Sequence, residues 1–317
     1  MHPAIVLCGL GHVATTAQLL GAGVQRRALG QLLGSRRAER LRRGLFVCTH
    51  LPTLERLAAS LGARLDCVSV LRENGIWAAE DLRLHLRVPS HGDAPNVQAR
   101  FSGGVDALLI AQAERSTEVH DEPSPAGILR SDPRRGIETH WGGDDGRSPG
   151  GPTAAPVSVL AALHQAMSCL DPDDVVAALE SALYLRKISR DELSALVAAA
   201  PRRLASALRE IDDGAQSGVE TRVRLGFRRL GFRVVPQAYV PGVGHVDNLV
   251  EDCVAVESDG RRFHASSLED DYDRDMASEY LGVRVLRVSP RIVLHQWPWL
   301  AETVTRMVQR ARDGRRH

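Results

Sequence analysis

The sequence lacks long apolar runs, is poor in aromatic residues and carries almost no net charge. Phe, Trp and Tyr make up 4% of the 317 residues, and the formal net charge is +1 at pH 7. Because no apolar run approaches the length of a membrane span, we expect no membrane partner. The first ten residues have too short an apolar core and no basic lead for a signal peptide. We therefore expect a cytoplasmic protein.

Cysteine is scarce, and its spacing matches none of the usual cysteine frameworks. The five cysteines are odd in number and form no C-x-x-C pair; they are Cys8, Cys48, Cys67, Cys169 and Cys253. Neither a disulfide framework nor a zinc finger is therefore expected, and a reducing compartment is the natural setting.

Length and charge distribution indicate several domains and one basic surface. A chain of 317 residues with 44% hydrophobic residues can form two or three globular domains. The stretch from Val24 to Arg43 holds a single acid, Glu39, against seven arginines, which are Arg26, Arg27, Arg36, Arg37, Arg40, Arg42 and Arg43. Local basic clustering with near-neutral total charge fits a protein that meets DNA through one surface.

The N-terminal fifty residues predict a helix, a turn, a second helix and a wing. The predicted helices are Ala14–Leu20 and Val24–Leu33, and the wing is Arg40-Leu-Arg-Arg-Gly-Leu-Phe-Val47. This layout resembles the winged-helix domain of AbiEi-type abortive-infection antitoxins. The resemblance implies DNA binding by residues 1–50, with the arginine-rich second helix in a major groove and the wing arginines on phosphate. The alternatives are solvated arginines or a surface that docks a partner protein.

Between this domain and residue 214 the sequence offers no catalytic grouping. Residues 51–102 continue the AbiEi-like resemblance, and His85 is predicted on an exposed strand face. Residues 103–156 are rich in Gly, Pro, Ser, Asp and Arg, which predicts a loop-rich linker that includes a short strand, Ile137–Trp141. Residues 157–213 have alanine and leucine at helical spacing and predict a helical connecting layer.

The most informative stretch reads as a β-hairpin that carries acids. Apolar residues flank Asp247 and precede Glu257, and a carboxylate in a poorly hydrated place needs a cation or hydrogen bonds. A three-residue turn pairs position 250 with 254 and places Asp247, Glu257 and Asp259 on one face. Such an acidic face suits a hard cation, so we expect Mg²⁺ or Mn²⁺ held by Asp247 and Glu257.

A fourth acid precedes the hairpin. Ser217-Gly218-Val219-Glu220 opens a run with helical apolar spacing, so Glu220 lies in the first turn of a helix. Two interpretations stay open at this point. Glu220 either joins the metal site or completes a capping box by bonding the backbone of Ser217.

These residues resemble the very-short-patch-repair-like endonucleases of the PD-(D/E)XK superfamily. The resemblance covers roughly the last hundred residues and rests on motifs in matching order: Asp247, the Glu257-x-Asp259-Gly260 step, His264, Arg274-Asp275 and the strand Leu281–Arg287. It implies a restriction-endonuclease-like α/β domain with a mixed sheet over residues 214–317. Asp259 stands where most of the superfamily has lysine.

The resemblance also implies roles for the individual residues. Glu220 completes the metal site, and Asp259 or His264 orients or deprotonates the attacking water. Arg274 steadies the charge on the phosphate, and Asp275 holds Arg274 or His264 in place.

The function predicted from the sequence is a metal-dependent DNA endonuclease or nickase, and the chain is a possible homo-oligomer. One alternative is an antitoxin-type DNA-binding regulator in which the nuclease fold is only a scaffold. Another is a protein-interaction adaptor whose basic helix docks an acidic partner.

Overall fold

The computed structural model describes residues 2–78, 81, 83–90, 137–142, 155–258 and 268–314. Arg42 and Asp275 are described for their backbone alone. The chain divides into two compact units, Met1–Cys169 and Leu170–His317. Both units are mixed α/β, which confirms the predicted fold class at that level. No helix within the described ranges is long and apolar enough to cross a membrane.

The boundary between the units falls inside the predicted helical connector. The connector does not form a separate layer in the described chain, because its first helix packs within the first unit and its second within the second. A periodic apolar face predicts that a helix is buried but does not say which neighbour buries it.

The first unit begins with a small helical cluster against an antiparallel sheet of order β1-β3-β2. Its elements are α1 (Pro3–Gly9), β1 (Val13–Thr15), α2 (Thr16–Gly21), α3 (Ala28–Gly34), β2 (Ala38–Arg42) and β3 (Leu45–Cys48). The order agrees with the predicted helix, turn, helix and wing. Apolar residues of all six elements form one core; Leu7, Leu19 and Val47 are fully buried in it.

One detail of this region corrects the sequence prediction. The second helix begins at Ala28, four residues later than predicted, and the segment Ala28–Gly34 contains no arginine. Arg26 and Arg27 precede this helix, and Arg36 and Arg37 follow it. Val24 is buried, and its backbone N–H bonds the carbonyl of Leu19. The chain is thereby held in a turn at the point where helical spacing alone predicted a helix.

The rest of the first unit is a second small sheet, of order β4-β5-β6, with helices against it. The elements are α4 (Thr53–Ser60), β4 (Arg64–Leu65), α5 (Cys67–Glu73), β5 (Leu84–Val88), β6 (Ile137–Trp141) and α6 (Val159–Cys169). The predicted strand Ile137–Trp141 is confirmed, and it pairs in parallel with β5. His85 is completely buried, so its predicted exposed position is wrong.

The second unit begins with helices that lead to a four-stranded sheet of order β10-β9-β8-β7. The helical elements are α7 (Pro172–Tyr184), α8 (Arg190–Ala198), a 3-10 turn (Arg202–Leu204), α9 (Ala205–Leu208) and α10 (Gly218–Arg229). The remaining elements are β7 (Val234–Val240), β8 (Gly244–Val250), β9 (Val254–Ser258), α11 (Leu268–Tyr280), β10 (Arg284–Val288), α12 (Pro290–His295) and α13 (Trp297–Gly314).

The sheet of the second unit is mixed, as predicted. Strand β8 runs antiparallel to both β7 and β9, whereas β10 runs parallel to β9 after the crossover helix α11. The predicted three-residue turn is confirmed, because Val250 pairs with Val254 and Asn248 with Val256. Glu251 and Asp252 in that turn have φ of 51° and 54°, a left-handed conformation that non-glycine residues enter at some cost.

A buried ion pair ties α7 to α10 beneath this sheet. The side chains of Glu180 and Arg224 are each 1% exposed, and Arg224 Nη2 lies 2.6 Å from Glu180 Oε1. Thr221 Oγ1 and the backbone N–H of Asp212 donate to the same carboxylate, at 2.5 and 2.7 Å. Removing one partner of such a pair leaves an uncompensated buried charge.

The two tryptophans at the start of α13 differ in their surroundings. Trp297 packs on Phe227 of α10, with ring centroids 5.1 Å apart, and a Cβ at Gly226 would lie 2.2 Å from the Trp297 ring. Trp299 is 60% exposed. Trp297 therefore packs α13 against α10, and this close contact requires glycine at position 226. Trp299 does not contribute to this packing.

Candidate functional site

The candidate site lies on the sheet of the second unit, where three acids come from three elements. Glu220 is in the first turn of α10, Asp247 is on β8, and Glu257 is on β9. Glu220 is buried, and the other two are partly buried. The confirmed hairpin register places Asp247 and Glu257 on the same sheet face, since side chains alternate along each strand.

Asp247 is held by the end of the next strand. Its Oδ2 accepts hydrogen bonds from the backbone N–H of Ser258 at 2.8 Å and from Ser258 Oγ at 3.0 Å. Among the described residues, the other oxygen, Oδ1, has no hydrogen-bond partner. Two donors on one oxygen fix the plane of the carboxylate and leave its second oxygen available to another ligand.

Glu220 is turned toward the sheet. Ser217 caps α10 by accepting from the Glu220 N–H at 3.2 Å, but the Glu220 carboxylate does not accept from the backbone N–H of Ser217, so no capping box forms. Its Oε2 instead accepts from the Gln216 N–H at 3.0 Å and from Gln237 Nε2 at 2.9 Å. The residue thus starts the helix with its backbone while its side chain reaches the sheet.

Gln237 is a site residue that the sequence did not reveal. It has φ of 47° and lies between the β7–β8 pairs Pro236↔Asn248 and Ala238↔Val246, opposite Asp247. Its Oε1 accepts from Gln216 Nε2 at 3.2 Å, which orients Nε2 toward Glu220. Within a strand, a residue with positive φ interrupts the alternation of side chains between the two faces, and such an interruption is the feature that could have indicated Gln237.

Glu257 is paired with arginine. Arg274 Nη2, from the crossover helix α11, donates to Glu257 Oε1, and Arg287 Nε lies 3.6 Å from Glu257 Oε2. Arg274 also reaches the carbonyl of His245 at 3.5 Å, while its Nε is buried without a hydrogen-bond partner among the described residues. Arg274 therefore contacts one of the acids, and its predicted role at the phosphate stays a prediction.

The acids influence one another electrostatically. Burial raises the pKa of Glu220, and the charge on Asp247 raises it further. Burial also raises the pKa of Glu257; there, Arg274 opposes the shift and Asp247 adds to it. Cation binding at such a cluster would relieve both the desolvation and the repulsion.

The described structure does not assemble these acids into a tight ligand set. No three ligand atoms of Glu220, Asp247 and Glu257 lie within 4.8 Å of one another among the described residues. The predicted residues Asp259 and His264 lie outside the described part of the chain, and the side chain of Asp275 does too. The roles predicted for those three residues stay predictions.

The arginine cluster of the first unit lies on its surface. Arg26, Arg27, Arg36, Arg37, Arg40 and Arg43 are all exposed, and Arg40 stacks over the Phe46 ring at 5.6 Å. The side chain of Arg42 is among those not described. The predicted DNA contacts of these seven residues stay predictions, now for a surface formed by turns and a hairpin that flank α3.

Two other groups in the first unit were missed by the sequence reasoning. One contains Cys8, His12, Cys48 and His50, and the other contains Cys67, His85, His140 and Cys169. In each group the four ligand atoms lie within 4.8 Å of one another. The members of the second group are far apart in sequence, and the first group joins two short pairs, Cys8 with His12 and Cys48 with His50, that are distant from each other. No C-x-x-C spacing marks either group, and the expectation that no zinc-type cysteine set exists is wrong at the level of geometry.

Several side chains of these groups have shifted pKa values. Burial, followed by a hydrogen bond with Cys8, raises the pKa of Cys48 to about 12. A hydrogen bond from Cys67 lowers the pKa of Cys169, with His140 and His85 adding to the effect. Burial and the charge of His50 lower the pKa of His12 and so favour its neutral, ligating form.

Comparison with known proteins gives no match for this chain, either to a family model or to a curated protein.

Proposed function

We propose that the second unit is a metal-dependent DNA endonuclease or nickase. The observation that carries the proposal is that Asp247 and Glu257 lie on one sheet face, that the charge of Asp247 acts on both Glu220 and Glu257, and that Arg274 pairs with Glu257. A structural role alone gives no reason to bring carboxylates together where burial raises the pKa values of Glu220 and Glu257. The element order around them is also the one expected from the endonuclease resemblance.

The chemistry of the donors fits Mg²⁺ or Mn²⁺. Carboxylate oxygens are hard ligands, and these cations keep waters and accept phosphate oxygens as further ligands. Asp247 and Glu257 would hold the cation, and Glu220 would complete the site. When bound, the cation would polarise the scissile phosphate and lower the pKa of an attacking water.

The chain's own residues orient the reactants. Ser258 fixes the Asp247 carboxylate, and Gln216 with Gln237 fixes Glu220. Arg274 is a phosphate-binding candidate, because its guanidinium already meets an anionic oxygen and part of it lacks a partner. Asp259 or His264 would handle the proton of the attacking water, and Asp275 would position one of the basic groups.

The exposed arginines of the first unit would supply the sequence-independent part of DNA affinity. Arginine on a turn or wing contacts phosphate and fixes orientation rather than sequence. A cytoplasmic enzyme that meets DNA in this way agrees with the near-neutral total charge and the local basic cluster.

One observation favours a second function, an antitoxin-type DNA-binding regulator without catalysis. Glu257 is paired with Arg274, and the three acids do not form a tight ligand set in the described structure. A scaffold that had lost its metal would hold the acids in this way, with an arginine as the counter-charge.

Cleavage of labelled single-stranded, duplex and mismatched DNA in Mg²⁺, Mn²⁺ or EDTA separates the two functions. We expect cleavage that needs the cation and is lost in Glu257→Gln, which keeps the volume and one hydrogen-bond acceptor for Arg274. The matched control is Glu279→Gln, because Glu279 is an exposed acid on the same helix as Arg274. DNA binding by the wild type that does not need the cation and leads to no cleavage would reject the enzyme in favour of the regulator.

A further inference from the structure

We propose that the first unit binds two structural zinc ions. The first ion is held by Cys8, His12, Cys48 and His50, and the second by Cys67, His85, His140 and Cys169. These sites are separate from the carboxylate cluster and do not depend on the proposed nuclease activity.

The distances inside both groups are close to those of a tetrahedral ligand set. With Zn–S near 2.3 Å and Zn–N near 2.0 Å, ligand atoms around one zinc lie about 3.3 to 3.8 Å apart. In the first group Cys8 Sγ and Cys48 Sγ are 3.3 Å apart. In the second, His85 Nδ1 lies 3.1 Å from His140 Nε2, and Cys169 Sγ lies 3.7 Å from the same nitrogen. Small adjustments of these side chains would bring all four ligands onto one ion.

The ligands converge from distant parts of the chain. In the second group, Cys67 is the first residue of α5, Cys169 is the last of α6, and the two histidines lie on β5 and β6. Four of the five cysteines of the chain belong to these two groups. The sheet they surround is small, with a β4 of two residues, and small cores are frequently completed by a metal.

An outer hydrogen bond fixes His85 in the form that a metal requires. Asp81 Oδ2 lies 3.1 Å from His85 Nε2, and Arg83 Nε donates to Asp81 Oδ1 at 2.9 Å. The carboxylate accepts the Nε2 proton, so the neutral ring would present the lone pair of Nδ1 to the group. Carboxylate–histidine pairs of this kind support the ligands of zinc sites.

Local strain marks both groups. Cys67 has φ of 45° and His12 has φ of 68°, a region that side-chain-bearing residues seldom adopt and that persists where the surroundings demand it. In the first group, His12 Nδ1 is buried without a hydrogen-bond partner among the described residues. A buried ring nitrogen without a partner is costly, and a metal bond would satisfy it.

The ligand chemistry selects zinc and a structural role. Two thiolates and two imidazoles in tetrahedral geometry suit zinc and not magnesium, which prefers oxygen ligands. Each group supplies all four ligands, so no position is open for substrate, as in structural rather than catalytic zinc sites.

Metal content of the full chain tests the proposal. We expect two zinc ions per chain by native mass spectrometry and elemental analysis, after expression with zinc and removal of loosely bound metal. Cys8→Ser and Cys169→Ser should each retain one ion; both cysteines are partly exposed, which limits misfolding. Cys253→Ser is the matched control, because Cys253 is buried outside both groups and should leave two ions bound.

A second measurement does not depend on the variants. Wild-type protein reconstituted with Co²⁺ should show the absorption of tetrahedral cobalt with thiolate ligands. Zinc-free protein without such a spectrum overturns both sites. One ion per chain overturns the site whose cysteine variant loses no metal, and a Cys8–Cys48 disulfide detected by mass under non-reducing conditions overturns the first site.

Discussion

The two units gather metal-binding residue types in different ways. In the first unit, cysteine and histidine converge into two compact groups whose ligand atoms all lie within 4.8 Å of one another. In the second, Asp247 and Glu257 share a sheet face and Glu220 on α10 interacts electrostatically with Asp247, but the three acids do not reach that compactness among the described residues, and Arg274 pairs with Glu257. Closed sulfur and nitrogen sets hold a structural ion, whereas a looser carboxylate set leaves space for water and phosphate. The difference shows that the function of a metal-binding cluster depends on its donor atoms and on whether a coordination position is left open, not on the number of acidic residues.

Zinc removal should produce the largest effect, and it should destabilise the first unit but not the second. A structural zinc contributes on the order of 10 kcal/mol of apparent binding free energy. We expect a high-affinity zinc chelator to abolish amide hydrogen-exchange protection in residues 2–90 and 155–169 while protection in residues 170–258 and 268–314 remains. Equal loss in both units, or no loss in the first, would end the assignment of zinc to the first unit alone.

Breaking the buried ion pair should act on the second unit only. Glu180→Gln removes the nearer counter-charge of Arg224 and leaves only the Asp212 carboxylate, at 3.8 Å; removing one partner of a buried pair costs about 3–5 kcal/mol. Urea denaturation measures the loss of stability in the second unit, and the retained zinc content shows whether the first unit stays folded. The control is Glu302→Gln, which removes an exposed pair with Arg306 and should cost less than about 1 kcal/mol. Similar losses in both variants would show that burial of the pair does not matter.

Arg274→Ala should separate cation binding from catalysis. The substitution removes the competitor for Glu257, so a lower Mg²⁺ concentration should give half-maximal cleavage. The maximal rate should fall by roughly 100-fold or more, because a donor to a developing phosphate charge is lost. The comparison variant is Arg284→Ala, which removes an exposed arginine of β10. If both cation affinity and rate stay unchanged, Arg274 has no part in the site.

The salt dependence of DNA binding tests the arginine surface of the first unit. Alanine at Arg26, Arg27, Arg42 and Arg43 should weaken binding and flatten the log–log salt slope by about 0.9 per lost phosphate contact. The charge-matched control replaces four exposed arginines of the second unit, which are Arg186, Arg202, Arg209 and Arg291. An unchanged slope in the first variant would favour a protein partner for this surface.

The smallest expected effect is a pH dependence in the first unit. Burial, followed by the charge of Glu73, raises the pKa of Glu55 to about 7. A raised carboxyl pKa stabilises the fold fully below the unfolded value and loses that contribution as pH rises through the folded value. Glu55→Gln should therefore raise the Tm at pH 8 relative to the wild type and change it little at pH 5. A Tm difference that is the same at both pH values would refute the shift.

Several features of the second unit could be read from its residues. Apolar alternation around Asp247 and before Glu257 set the hairpin register, because a slip of one residue would exchange the buried and acidic faces. The cap at Ser217 set the start of α10. Both are local properties, in which neighbouring side chains compete for one face or one backbone group.

Contacts between distant segments could not be predicted in this way. Both interpretations of Glu220 were compatible with its sequence, and only Gln237 on β7 shows that the side chain turns toward the sheet. The start of α3 at Ala28 depends on a turn that buries Val24. The exposed position predicted for His85 ignored β6 and α6, which cover it from more than fifty residues away.

The sequence by itself determined the class of the fold, the order of most elements and the acids of the hairpin, since periodicity and capping act within a few residues. The tertiary structure alone decided which cysteines meet which histidines, how the connecting helices are shared between units and which arginine neutralises Glu257. These outcomes depend on packing among segments that are far apart in the chain, and no local pattern encodes the partner.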